Sequence, residues 1–171
     1  MSWCRWGLSD RLPWFNDLAQ ADAENVLYGC LANRTWAARV AADRPYEDLE
    51  SLLAMADIAS AELSDREWMD AFAAHPRIGE RGGDAPATSE GEQRGVMDAS
   101  PDTLSALAVE NRRYEERFGH VFLIAASGRS AAEILSELRR RMNNDPATEL
   151  QEAAREQRRI ARMRLEKALF G

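Results

Sequence analysis

Apolar residues in this chain recur at steps of three and four, the spacing that lines one face of an α-helix, and this period limits the fold more than any other feature. It is clearest over 46–62, where Leu49, Leu52, Leu53, Ala56 and Ala59 follow one another. Helix starts are marked as well. Ser64-Asp-Arg-Glu67, Ser89-Glu-Gly-Glu92 and Ser130-Ala-Ala-Glu133 have the capping-box form, and Ser100-Pro101 and Asp145-Pro146 place proline at a first helical position. Asp22 is a candidate cap for a helix carrying Val26, Leu27, Cys30 and Leu31. Another helix covers Trp36 to Ala42 and stops before the turn Asp43-Arg44-Pro45. The run Val121 to Ala126 has the composition of a buried strand, but no partner strand exists for it, so we expect an extended or helical segment lining the core. The expectation is an all-α fold: a single compact domain over 1–171, with seven or eight helices and one long irregular loop at 76–88.

Bulk properties narrow the function. The 171 residues suit one ordinary domain, and 45% hydrophobic with 30% charged residues is a globular composition. No apolar run nears the roughly 18 residues that span a bilayer, and the N-terminus has no secretory h-region, so we expect no membrane partner and a cytoplasmic location. A net charge of −7 argues against a nucleic-acid partner. Every basic residue but Lys167 is arginine, and clusters such as 139–141 and 155–164 read mainly as solvated helix faces. Cys4 and Cys30 form no CxxC, two histidines make no zinc signature, and Cys30 reads as core; no metal site is expected. Trp14, Trp36 and Trp68 lie in helical patterns and also read as core.

Chemistry concentrates around the loop. His75 precedes Pro76, which pushes its backbone away from the α region and should end the helix there. An imidazole titrates near neutrality and can move a proton at working pH, although a histidine in this place also suits the negative end of a helix dipole. Ser89, Glu92 and Gln93 open a helix of about ten residues facing that loop. They are either a plain cap or a receptor for a small, anionic, amide-rich ligand. His120 follows the Phe118-Gly119 break, as a second catalytic histidine or as a position where the main chain matters and the ring is incidental. Asn111 and Tyr114 share a face and suit a buried polar contact. Arg164 lies four residues from both Ile160 and Ala168, on an inward face with Met163 close by, and an inward arginine needs an anionic partner.

Taken in order, these stretches resemble the 2-oxo-4-hydroxy-4-carboxy-5-ureidoimidazoline (OHCU) decarboxylases. The resemblance runs from Trp36 and Arg44-Pro45-Tyr46 through Ala74-His75-Pro76-Arg77-Ile78-Gly79 and Ser89-x-x-Glu92-Gln93. It continues through Asn111-x-x-Tyr114, Arg117-Phe118-Gly119-x-x-Phe122 and Arg141-Met142-x-Asn144 to Glu149, Glu156-Gln157 and Met163-Arg164-Leu165. It implies His75, Glu92 and Arg164 as catalytic residues, with Arg162 close to the last. It also implies substrate contacts from Pro76, Ser89, Gln93 and the segment His120, Val121, Phe122, Leu123 and Ile124, the last largely through backbone. The departures, Tyr46 for phenylalanine, His120-Val121 after Phe-Gly and Met142 for leucine, remove no proposed catalytic group. The implied activity is decarboxylation of OHCU to (S)-allantoin in urate degradation, with a small ureide as partner, no cofactor, and a homodimer that a helical domain of this size does not need for stability. Hydrolysis of a related ureide, or a helical adaptor with no role for the His75 loop, are the competing expectations.

Overall fold

The computed structural model describes residues 11–79 and 91–171. All regular structure among them is helical, as expected. Tertiary contacts gather into two units, residues 11–64 with Ile160–Gly171, and Asp65–Arg159. No helix among the described residues is long and apolar enough to cross a membrane.

The first unit contains α1 (Leu12–Asp17), α2 (Gln20–Cys30), α3 (Arg34–Ala42) and α4 (Leu49–Ala61). Helix α1 is an addition to the expected set: Pro13 sits in its first turn, and Leu12 and Phe15 are buried. Trp14 corrects the sequence expectation, since it is 43% exposed and carries the Arg11 guanidinium over its ring at 4.4 Å. Helix α2 starts two residues before Asp22, which lies in its first turn instead of capping it. Asn33 caps α3 by accepting the Trp36 N–H, and the buried Trp36 indole donates to the Ala56 carbonyl of α4 at 3.0 Å. The Asp43-Arg44-Pro45 turn forms as read. Arg44 donates to the carbonyls of Ala41, Phe15 and Leu18 at 2.7–2.8 Å, tying the end of α3 to α1. Cys30 is core, and Cys4 lies outside the described residues.

The second unit contains α5 (Asp65–Phe72), α6 (Arg94–Met97), α7 (Pro101–Phe118) and α8 (Ala131–Arg141). It also takes the first part of α9 (Pro146–Phe170), whose remainder belongs to the first unit. That makes nine helices among the described residues against the seven or eight expected. Local chemistry explains their ends. Ser100 caps α7 with Pro101 at its first position; Gly119 closes it in the left-handed region (φ 77°), its N–H bonded to the Glu115 carbonyl. Ser130 and Glu133 form the expected capping box of α8. Asp145 accepts from the N–H groups of Ala147 and Thr148 at the start of α9.

Helix α7 packs on α8 over a core that includes Leu107, Tyr114, Ile134 and Leu138. Phe122 and Ile124 enter that core from 120–126, which runs without regular structure, as an extended segment lining the core. Helix α5 stops at Phe72, three residues before His75, which sits in the turn that follows with its N–H bonded to the Phe72 carbonyl. The helix expected near Ser89 is not one ten-residue piece. Residues 91–92 are helical, Gln93 breaks the backbone (φ −95°, ψ 7°), and α6 follows. Ser89, with its expected capping box, and 80–88 of the loop lie outside the described residues.

Candidate active site

The segment 75–79 is held from two directions. On α7, Asn111 is buried and its amide donates to the Ile78 carbonyl at 2.9 Å. One turn on, Glu115 takes both arms of the Arg77 guanidinium, at 2.6 and 2.9 Å. From α6, the Gln93 side-chain oxygen accepts the Gly79 N–H at 3.1 Å. Gly79 has φ 85°, a geometry that side chains rarely adopt, and this turn lets Ile78 enter the core while His75 and Pro76 stay half-buried. Gln93 thereby brings the His75 segment and the half-buried Glu92 into one neighbourhood, and its Nε2 carries the donors it still has to offer.

The segment 120–124 reaches this neighbourhood through aromatic packing. The His120 ring lies 5.0 Å from Phe72 and 5.4 Å from Tyr114. Phe72 is the residue whose carbonyl anchors His75. The His120 ring packs between the end of α5 and α7. Burial holds its pKa below the ordinary histidine value. Its Nδ1 lies 2.9 Å from the Val121 carbonyl, which can only accept, so the neutral ring carries its proton on Nδ1.

Behind the segment lies a charged core that sequence reading missed. Arg141 is 1% exposed, although its run 139–141 reads as a solvated face. Its guanidinium donates to Glu149 and, at 2.6 Å, to the Leu123 carbonyl, and it covers the Phe122 ring at 4.6 Å. Tyr114 and Asn144 complete the ring of donors around the fully buried Glu149. Burial pushes the Tyr114 hydroxyl pKa up, so it stays a donor. Two positions later along the chain, the Ala125 N–H is held by Glu156 at 2.8 Å. The N–H groups from the half-buried Val121 to the buried Ile124 find no acceptor among the described residues. Backbone donors left without a protein acceptor can bond carbonyl or anionic oxygens of a ligand. The signal for Arg141 was present: it stands three and seven residues after Leu138 and Ile134, on their face of α8.

Other expected residues fall as follows. Arg164 is half-buried and belongs to the first unit; Arg162 is exposed and paired with Glu166 at 3.2 Å. Met163, expected on the inward face, is exposed. Asn111 and Tyr114 are both buried and bonded, each to a different partner. Gln157 was singled out by no chemical argument. Its amide is fully buried, and neither Nε2 nor Oε1 has a hydrogen-bond partner among the described residues. Leaving such a group unpaired costs a protein about 1–3 kcal/mol.

Comparison with known proteins points to one family. The model of the OHCU decarboxylase family matches residues 16–166. The uric acid degradation bifunctional protein TTL of Arabidopsis thaliana is 33% identical over 144 residues, covering 81% of this chain and 44% of that protein. The mouse (Mus musculus) 2-oxo-4-hydroxy-4-carboxy-5-ureidoimidazoline decarboxylase is 34% identical, over 75% of each chain. A crystal structure of OHCU decarboxylase in the presence of (S)-allantoin superposes with a TM-score of 0.74 at 30% identity, covering 84% of this chain and 96% of that one. An (S)-allantoin synthase structure, at 18% identity and a TM-score of 0.71, shares the fold. The chain spans less than half the length of the bifunctional relatives it matches.

Proposed function

Since the chain belongs to the OHCU decarboxylase family, we propose that it removes carbon dioxide from 2-oxo-4-hydroxy-4-carboxy-5-ureidoimidazoline to leave (S)-allantoin, a step of urate degradation. On this reading it works as one domain of that family, in the cytoplasm and as a homodimer. The observation that supports the proposal is the Gln93–Gly79 hydrogen bond, which ties the residue after Glu92 to the segment that begins at His75.

The chemistry follows from the substrate. Its carboxylate sits on a carbon that also bears a hydroxyl, next to a carbon–nitrogen double bond. When the carbon–carboxylate bond breaks, its electron pair enters the carbon–nitrogen double bond, whose nitrogen takes up a proton from solvent, and a neutral enol is left. The hydroxyl proton then departs as the carbonyl forms, and the neighbouring carbon accepts a proton on one face. The electron sink belongs to the substrate, so the reaction requires no cofactor to supply one.

His75 takes the hydroxyl proton, for which an imidazole is suited near neutral pH. Glu92 positions the ring and governs the face that is protonated. The Gln93 Nε2, Ser89 and the backbone N–H groups of the 120–124 segment, with Pro76 against the ring, read the ureide oxygens and amides. Arg164, carried over from the family resemblance, pairs with negative charge on the substrate.

The test follows freshly generated OHCU, made in place by urate oxidase and the matching hydrolase, by circular dichroism. The expected result is rapid appearance of one allantoin enantiomer, slowed about 10²–10⁴-fold in His75→Ala, the usual worth of one general acid or base. Racemic decay at the buffer rate with the native chain would overturn the proposal and bring the binding-module alternative forward.

A further inference from the structure

Among the described residues, the fully buried amide of Gln157 is a side-chain group with no hydrogen-bond partner. It stands on α9 immediately after Glu156, whose carboxylate holds the Ala125 N–H at 2.8 Å. Eight residues earlier, Glu149 holds Arg141, which in turn holds the Leu123 carbonyl. This stretch of α9 is thus the wall on which the extended segment 120–125 is hung. Gln157 leaves that wall one helical step, about 100°, round from Glu156.

A primary carboxamide offers two N–H donors and a carbonyl oxygen with two acceptor positions. The group that satisfies both ends at once is another amide edge, facing it with one N–H donated in each direction. A ureido group, –NH–CO–NH2, presents such an edge; a carboxylate or a hydrocarbon does not. A solvating partner that arrives with the ligand would also explain why the amide has none among the described residues.

Resting on the decarboxylase reading, we infer that Gln157 is a further substrate-binding residue, and that it recognises the ureido arm of the ureide through a reciprocal amide pair. The hydroxyl is left to His75, and the ring amides to Gln93, Ser89 and the backbone of 120–124. Gln157 then decides which ureides bind and takes no part in the proton transfers.

The experiment uses Gln157→Met in the full chain, which keeps the side-chain volume and removes both polar atoms. (S)-Allantoin and hydantoin, the same ring without the ureido arm, are titrated against the native and variant proteins. The preference of the native protein for allantoin over hydantoin is expected to fall about tenfold in the variant, the worth of an amide pair. KM for OHCU should rise by a similar factor with kcat little changed, and Tm should hold or increase, because an unpaired buried amide has gone. An unchanged preference overturns the inference whatever happens to Tm, and so does an equal loss of affinity for both ligands, which would place the amide against the ring or in the service of the fold. If the native chain fails to hasten OHCU decay, the decarboxylase reading falls by itself, while the two titrations still decide whether Gln157 sees a ureido group.

Discussion

Among single residues, Arg141 and Glu149 carry the largest stake. Both are buried, and each is the other's principal counter-charge, so removing one leaves the other stranded in the core. Glu149→Gln is expected to cost about 3–5 kcal/mol, measured as a lower denaturation midpoint, the usual penalty for an uncompensated buried charge. Activity should fall further than stability does, because Arg141 also holds the Leu123 carbonyl. His120 supplies a pH dependence. Burial lowers its pKa in the folded state, whereas the unfolded residue titrates near 6.5. Above pH 6.5 both states are neutral and the group contributes no slope. As pH falls below 6.5 the unfolded chain binds a proton that the folded chain refuses, so stability declines until the folded pKa is passed. Denaturant titrations across that window should show the decline in the native protein, and His120→Phe should flatten it. The spacing of Arg141 after Leu138 and Ile134 put it on a buried face, but the partners of Arg141 and His120 were not legible in the sequence. The partner that buries Arg141 sits eight residues away in another helix, and the aromatic cage of His120 comes from two separate helices. His75 was easier to place, because its proline neighbour is a local signal.

Helix ends were the most legible elements, because capping chemistry is local. Ser130 and Glu133 exchange hydrogen bonds across three residues, as their spacing requires, and Ser130→Ala should cost about 1 kcal/mol of stability in a chemical denaturation series. Gly119 ends α7 at φ 77°, and the nearest atom that an added Cβ would meet is 3.9 Å away. Backbone strain alone therefore sets the cost of Gly119→Ala, about 1–2 kcal/mol. Read without a partner strand, the run Val121 to Ala126 was correctly expected as core-lining chain. Its hydrogen-bond partners, a guanidinium and a carboxylate from two helices, leave no periodic trace. Elsewhere competition between local signals misled. Helix propensity at Gln20 and Ala21 outran the cap expected at Asp22, and the break at Gln93 divided a helix whose pattern looked continuous. Periodicity also fails to say which side of a short helix faces outward, which is how Trp14 was misplaced.

Across the whole chain, the first unit is built from two distant stretches, 11–64 and 160–171. The second stretch is integral to it. Leu165 and Leu169 are fully buried, and the Arg11 N–H bonds the Leu169 carbonyl at 2.7 Å. Leu165→Ala should therefore destabilise by about 2–5 kcal/mol, read from the thermal or denaturant midpoint. Family membership was legible at this scale because the ordered set of short motifs covers most of the chain; the division into two units was not, since contacts between distant stretches follow no local rule. The division also bears on how the protein comes off the ribosome. Roughly 95 residues separate Ser64 from Ile160, about 5–20 seconds of translation at ordinary rates. Throughout that interval the nascent N-terminal helices lack the segment that completes their core. Chaperone dependence in the cell should accordingly fall on the part of the chain made first, while the later-made stretch that carries His75 can gather its own core as it emerges.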